Sequence, residues 1–294
     1  MTGPKPAEGG TEAKDAVPGM RKTRRVLAYI LIALAAIGLL LLGAWSFLRP
    51  RVVGGARVAD PVAAKAAGDA LLASRDTTVL IVVAHPDDTE WWAGGTAAML
   101  ARGDRVVLVV GTSGEKGDAG LVPGLGAIRE GLQRQGGAII GYSDIVFLRH
   151  PDGGLGQAAA FPGEVAAAFA KYRPSTVITF DTAKEAAGYR HVDHEAAGRV
   201  AFAEAEKVGG VTLYLFQTAA PDVIVDYAPV AQQKARAFAV LTRYRDLAPV
   251  VGWVNVAVRG LGRTPAPVYG QQARYPEVGV AYGEVFRKVV VAKK

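Results

Sequence analysis

Two short stretches hold most of the residues able to do chemistry: AHPDD at residues 84–88 and HVDH at residues 191–194. The chain has four histidines, and three of them (His85, His191 and His194) lie beside aspartates in these stretches. Asp87 and Asp88 are neighbours that repel, and carboxylates at the end of an apolar run are costly unless a cation, an arginine or water meets them. A catalytic zinc site takes three ligands from His and Asp/Glu and leaves a position for water. Two ligands from AHPDD and one or two from HVDH meet that count, which leaves one aspartate to act as a base. On a helix start, His191 and His194 share a face. Each piece also has a plainer reading. Asp87 or Asp88 could cap a helix, Asp193 could favour a helix N-terminus, and His150 reads as a structural or solvated histidine. Those readings explain the clusters singly but not together.

The residues around the clusters supply the elements that must position them. TVLIVVA (78–84), RVVLVV (105–110), DIVFL (144–148), STVITF (175–180) and VTLYLF (211–216) read as strands. Helical patterns separate them at 89–103, 124–141, 158–172 and 191–208. Short, continuously apolar strands alternating with helices imply a parallel sheet covered on both faces. Right-handed crossovers make it an α/β, Rossmann-like doubly wound sheet ordered about 3-2-1-4-5. Ligands bind such sheets beyond the carboxyl ends of the strands, where the strand order reverses. That point falls between the first and fourth strands, so AHPDD and HVDH meet in one crevice. A helix in VAQQKARAFAVLTRY and strands in VGWVNVAVRG and FRKVVVA extend the same domain.

The rest of the chain sets limits on function. With no cysteine among 294 residues, disulfides, thiolate ligands and a cysteine nucleophile are excluded. The net charge is +7, but residues 49–294 carry only 28 Lys/Arg against 24 Asp/Glu, without a basic stripe interleaved with aromatics. Nucleic-acid binding is not expected. Residues 1–25 read as a disordered basic tail. The 23 uncharged residues at 26–48 match the length of a transmembrane helix, and residues 49–75 read as a stalk with a short helix in PVAAKAAGDALLAS. Arg21, Lys22, Arg24 and Arg25 precede the span and Arg49 and Arg51 follow it, which predicts a cytoplasmic N-terminus and an extracytoplasmic domain at 76–294.

The motifs resemble the PIG-L/LmbE-like family of zinc-dependent deacetylases, which act on N-acetylglucosaminyl compounds. AHPDD carries the resemblance furthest. TSGEKGD, Arg129 twelve residues before Gly141, PDGGL, HVDH and AYGEVF extend it over roughly residues 77–286. The resemblance implies zinc held by His85, Asp88 and His194, with Asp87 as general base. It implies that His191 stabilises the oxyanion and protonates the leaving amine, oriented by Asp193. It also places Arg129 and Asp152 against sugar hydroxyls, although a structural ion pair accounts equally well for both. Val192 stands where the family commonly has proline, Thr89 where glutamate often follows HPDD, and Leu132 where the family has glutamate. Trp91 and Trp92 could pack as core or form a sugar-stacking wall. The expected activity is membrane-anchored, zinc-dependent removal of an N-acetyl group from a glycan, glycolipid or glycoconjugate containing N-acetylglucosamine. The alternatives are hydrolysis of a different amide and a non-catalytic sugar-binding role. Nucleotide binding is disfavoured because no GxGxxG follows the first strand.

Overall fold

The computed structural model describes residues 28–39, 57–117, 122–182, 191–247 and 272–293. The chain divides into two units, Met1–Arg51 and Val52–Lys294. In the first, residues 28–39 form helix α1, and its large apolar side chains Tyr29, Leu31, Ile32, Leu34 and Leu39 are exposed. The rest of the expected 26–48 span and the tail at 1–25 lie outside the described residues. Among the described residues, no helix is long and apolar enough to cross a membrane.

The second unit runs α2 (Pro61–Leu72), β1 (Thr78–Val83), α3 (Asp88–Trp92), α4 (Gly94–Leu100), β2 (Arg105–Thr112), α5 (Leu125–Ile140), β3 (Asp144–His150) and α6 (Phe161–Tyr172). It continues with β4 (Thr176–Phe180), α7 (Val192–Val208), β5 (Val211–Phe216), β6 (Val223–Asp226), α8 (Ala231–Leu241), β7 (Ala273–Tyr275) and β8 (Val280–Val291). The sheet order is β3-β2-β1-β4-β5-β8-β6, with β7 also paired to β8. Its first five strands are parallel and follow the expected order, so β1 and β4 flank the switch point. Residues Val79 to Val83 of β1 and Val106 to Val110 of β2 are buried without a break, as expected for strands covered on both faces.

The wholly parallel sheet is corrected to a mixed one, because β8 runs antiparallel to both β5 and β6. An antiparallel partner needs no crossover helix, which lets this strand join the edge of the parallel sheet. VGWVNVAVRG lies outside the described residues.

Two further differences bear on the site. The single helix expected over 89–103 is two, broken at Ala93 (φ −140°). The break lets the Glu284 carboxylate of β8 accept from Gly95 N, Thr96 N and Thr96 Oγ1 at 2.8, 2.7 and 2.6 Å. An anion at a helix N-terminus is favourable. Lys234 Nζ of α8 completes the arrangement, 2.6 Å from Glu284, with both side chains fully buried. Within the stretch read as a stalk, Val58 and Ala64 pack into a cluster with Ile224, Tyr275 and Val285. Helix α2 begins with an Asp60 cap, Oδ1 accepting from Ala63 N at 3.0 Å, and Pro61 follows in the first turn. Gly68 lets α2 reach the sheet, since a Cβ there would stand 1.9 Å from Ile224 O.

Replacing a helical glycine with alanine ordinarily stabilises by about 1 kcal/mol. Gly68→Ala is expected to reverse that sign and cost about 1–3 kcal/mol through steric overlap, measured as a lowered urea midpoint.

Candidate metal centre

The AHPDD segment leaves β1 and turns at once into α3. His85 is the first polar residue past the strand, and its N–H donates to Asp88 Oδ2 at 2.7 Å. Asp87 adopts a left-handed conformation (φ 88°), which is uncommon for a residue with a side chain. Across the switch point, His191 is the N-cap of α7, its Nδ1 accepting from Asp193 N at 3.3 Å. His194 lies in the first turn and stacks on Phe180 of β4, centroids 4.1 Å apart. From the end of β3, the turn after Pro151 contributes Asp152.

These elements converge. Asp88 bridges two histidines, with Oδ1 3.2 Å from His194 Nε2 and Oδ2 3.5 Å from His85 Nδ1. His85 Nε2 faces Asp152 Oδ1 at 3.1 Å and Asp193 Oδ2 at 3.3 Å. Ring nitrogens of His85, His191 and His194 lie within 4.8 Å of one another, as do donors of His85, Asp152 and Asp193. Neighbouring donors on a tetrahedral zinc at about 2.0–2.2 Å stand roughly 3.4 Å apart, close to the Asp88 contacts. Nitrogen and carboxylate donors are the set zinc takes, so the residues fit that ion.

The electrostatics agree. Burial alone would lower the His85 pKa, but hydrogen bonds to Asp152, Asp193 and Asp88 carry it well above its ordinary value. Burial would raise Asp88, yet the charges and hydrogen bonds of His194 and His85 hold it far below the usual carboxylate range. Asp152 is lowered to about 2 against the effect of its burial, chiefly by His85. His191 is lowered by burial and by the nearby His85 and His194. The cluster thus favours a positive charge among its carboxylates, carried by a proton or by a metal cation.

All eight residues singled out in the sequence gather here, though not all as expected. The Asp193 carboxylate accepts from Gly153 N and Leu155 N at 2.6 and 3.0 Å and faces His85, while it reaches His191 through its N–H. Arg129 is buried: Nη2 donates to Pro86 O at 2.5 Å and lies 3.1 Å from Asp87 Oδ1, and Nη1 donates to Gly114 O at 3.0 Å. Asp152 accepts from Lys116 N at 3.0 Å. His150 stands apart on Glu164. Trp91 and Trp92 pack on Phe238 and Phe216. Sequence reasoning missed Gln133, whose Oε1 accepts from Asp87 N at 2.8 Å, and Glu90 and Tyr142 behind it. The available signal was Gln133 lying one helical turn after Arg129. A groove of about 580 Å³ opens next to Pro151, lined by Ser113, Glu115, Glu130, Arg149 and His150.

An α/β domain with a His/Asp metal-type centre at its switch point is the class that this fold and site define. Residues 80–205 match the sequence profile of PIG-L, described as GlcNAc-PI de-N-acetylase, and over this segment the chain is similar to that family. Among curated proteins, it is 35% identical over 169 residues to a 1D-myo-inositol 2-acetamido-2-deoxy-alpha-D-glucopyranoside deacetylase 1 of Saccharopolyspora erythraea. That match takes in 45% of this chain and 55% of the relative. A deacetylase of the same description from Saccharomonospora viridis is 32% identical over 164 residues, 45% of this chain and 59% of the relative. The chain therefore spans little more than half the length of these relatives. Among solved structures, the N,N'-diacetylchitobiose deacetylase of Pyrococcus horikoshii superposes with a TM-score of 0.58 at 25% identity, over 72% of this chain and 84% of that one.

With hydrogen bonds to three aspartates raising the His85 pKa, a metal entering this site competes with a proton there. Zinc uptake at pH 7 is expected to release about one proton per ion and to weaken as pH falls. Calorimetry in buffers of different ionisation enthalpy measures both.

Proposed function

We propose that this chain is a zinc-dependent N-deacetylase acting on an N-acetylglucosamine-containing glycan, glycolipid or glycoconjugate. One observation carries the reading: His85 and Asp88 from the first strand's end meet His191 and His194 from the fourth's, with Asp87 gripped beside them. The deacetylase names of the relatives and of the superposed structure support the same reaction and point to glucosaminyl substrates.

In this proposal His85, Asp88 and His194 hold zinc, which would polarise the amide carbonyl and lower the pKa of a water to about 7. Arg129 fixes Asp87 by Oδ1, and Asp87 takes a proton from the attacking water. His191 has Nδ1 occupied as an acceptor from Asp193 N, which leaves Nε2–H to donate to the developing oxyanion. As the C–N bond breaks, His191 passes its Nε2 proton to the departing amine and takes up the proton held on Asp87, so the imidazole ends neutral and Asp87 is again a carboxylate. Acetate and the free amine result. The groove beside Pro151 offers room for the part of the substrate beyond the reacting sugar.

The full-length chain in detergent, loaded with zinc, is expected to release acetate from one or more N-acetylglucosaminides. The panel would include 1D-myo-inositol 2-acetamido-2-deoxy-alpha-D-glucopyranoside and N,N'-diacetylchitobiose. Asp87→Ala is expected to reduce turnover at least about 100-fold, the usual scale for a lost general base. A folded, zinc-binding protein that releases no acetate from any of them would turn the reading to another amide or to sugar binding.

The anchor belongs to the same proposal. Residues 26–48 cross the membrane with residues 1–25 in the cytoplasm and the catalytic unit outside. The exposed apolar side chains of α1 support this, since a helix apolar on every side needs a non-aqueous surrounding. A topology reporter fused after Lys294 is expected to report from the extracytoplasmic side, and a cytoplasmic signal would reverse the orientation.

A further inference from the structure

We propose that Gln133 is a positioning residue for Asp87, acting on its main chain, and that Glu90 fixes which way the Gln133 amide faces. The proposal rests on Asp87 being the base, as argued above, and concerns how this chain holds it. Asp87 is the one residue of the AHPDD segment in a left-handed conformation, φ 88°. A residue with a side chain leaves that region unless its surroundings hold it there.

Two side chains of α5 do so from one face, a helical turn apart. Arg129 takes the Asp87 carboxylate and the Pro86 carbonyl. Gln133 takes the main chain, Oε1 accepting from Asp87 N–H at 2.8 Å. Gln133 is fully buried, so water does not replace this bond if it is lost.

An amide could present either end to Asp87, and only the oxygen is useful. Gln133 Nε2 donates to Glu90 Oε1 at 2.9 Å, and the same oxygen accepts from Tyr142 Oη at 2.9 Å. The Asp87 N–H can only donate, so the Gln133 oxygen must face it, which turns the NH2 group of Gln133 to Glu90 Oε1 as its acceptor. Glu90 is itself fully buried on α3. The path from Tyr142 through Glu90 and Gln133 to Asp87 ties the base to the far end of α5. None of the first three touches the metal donors by a hydrogen bond described above.

The test uses the zinc-loaded full-length chain and three variants: Gln133→Met, Gln133→Glu, and the exchanged pair Glu90→Gln with Gln133→Glu. Two readouts are taken, the hydrogen-exchange rate of the Asp87 amide by NMR, and kcat and KM for acetate release. Gln133→Met is expected to speed Asp87 exchange at least about tenfold and to lower kcat by about tenfold or more, with KM within about twofold. Gln133→Glu sets two carboxylates against each other and is expected to lose comparably.

In the exchanged pair, the new carboxylate at position 133 accepts from Asp87 N–H while the new amide at position 90 donates to that carboxylate. Both readouts are therefore expected to return to within about threefold of the parent. A loss caused only by general destabilisation would not be restored by that exchange. Unchanged Asp87 exchange and kcat in Gln133→Met would overturn the proposal. So would an exchanged pair no better than Gln133→Glu alone, a comparison that also decides the matter if Gln133→Met does not fold. If Asp87→Ala leaves acetate release unchanged, it is the reading of Asp87 as base that fails. The amide exchange rate still decides whether Gln133 holds its main chain.

Discussion

Charge has to balance at the end of β1. Asp88, Asp152 and Asp193 all reach His85, at a point where the preceding strand is buried on both faces. Carboxylates brought this close and largely removed from water repel unless positive charge lies among them. Much of the local structure serves that requirement. Backbone N–H groups of Gly153 and Leu155 hold Asp193, Lys116 N holds Asp152, and His85 N holds Asp88. Each carboxylate thus keeps its direction through main-chain hydrogen bonds.

The sheet makes this concentration of charge possible. Because strand order reverses between β1 and β4, the helices after those strands go to different sides and leave a crevice between them. The crevice receives four carboxylates and three imidazoles, with the buried apolar strands beneath. Further from the crevice, the Lys234–Glu284 pair holds the start of α4. A fully buried pair of this kind is weak evidence of stability. Its geometric effect is plainer: Lys234 holds the Glu284 carboxylate against the N–H groups at the start of α4, just past the α3–α4 break.

The sequence reveals what repeats over short distances. Strands β1 to β5 are apolar runs with clear ends, and their alternation with helices leads to the observed order. Strands β6 and β7 have four and three residues, too few for a pattern. The break at Ala93 could not be read locally, because the carboxylate that caps α4 comes from Glu284, 189 positions beyond Gly95. The convergence of the two His/Asp clusters was legible from their residue types and their placement after the first and fourth strands. The supports behind them were not. Glu90 and Gln133 each lie one position from a departure from the family pattern, at Thr89 and Leu132, and only the fold shows that these displaced residues meet.

The placement of β8 has a consequence for the order in which the molecule can be assembled. This strand follows every other described strand in the chain, yet it sits between β5 and β6 and delivers Glu284 to the start of α4. A nascent chain emerging from the ribosome can pair β1 to β5 early, since each needs only what has already been made. The cap of α4 stays unmade until β8 has been synthesised and inserted. A chain interrupted before β8 would carry every one of the converging histidines and aspartates but lack the carboxylate that caps α4.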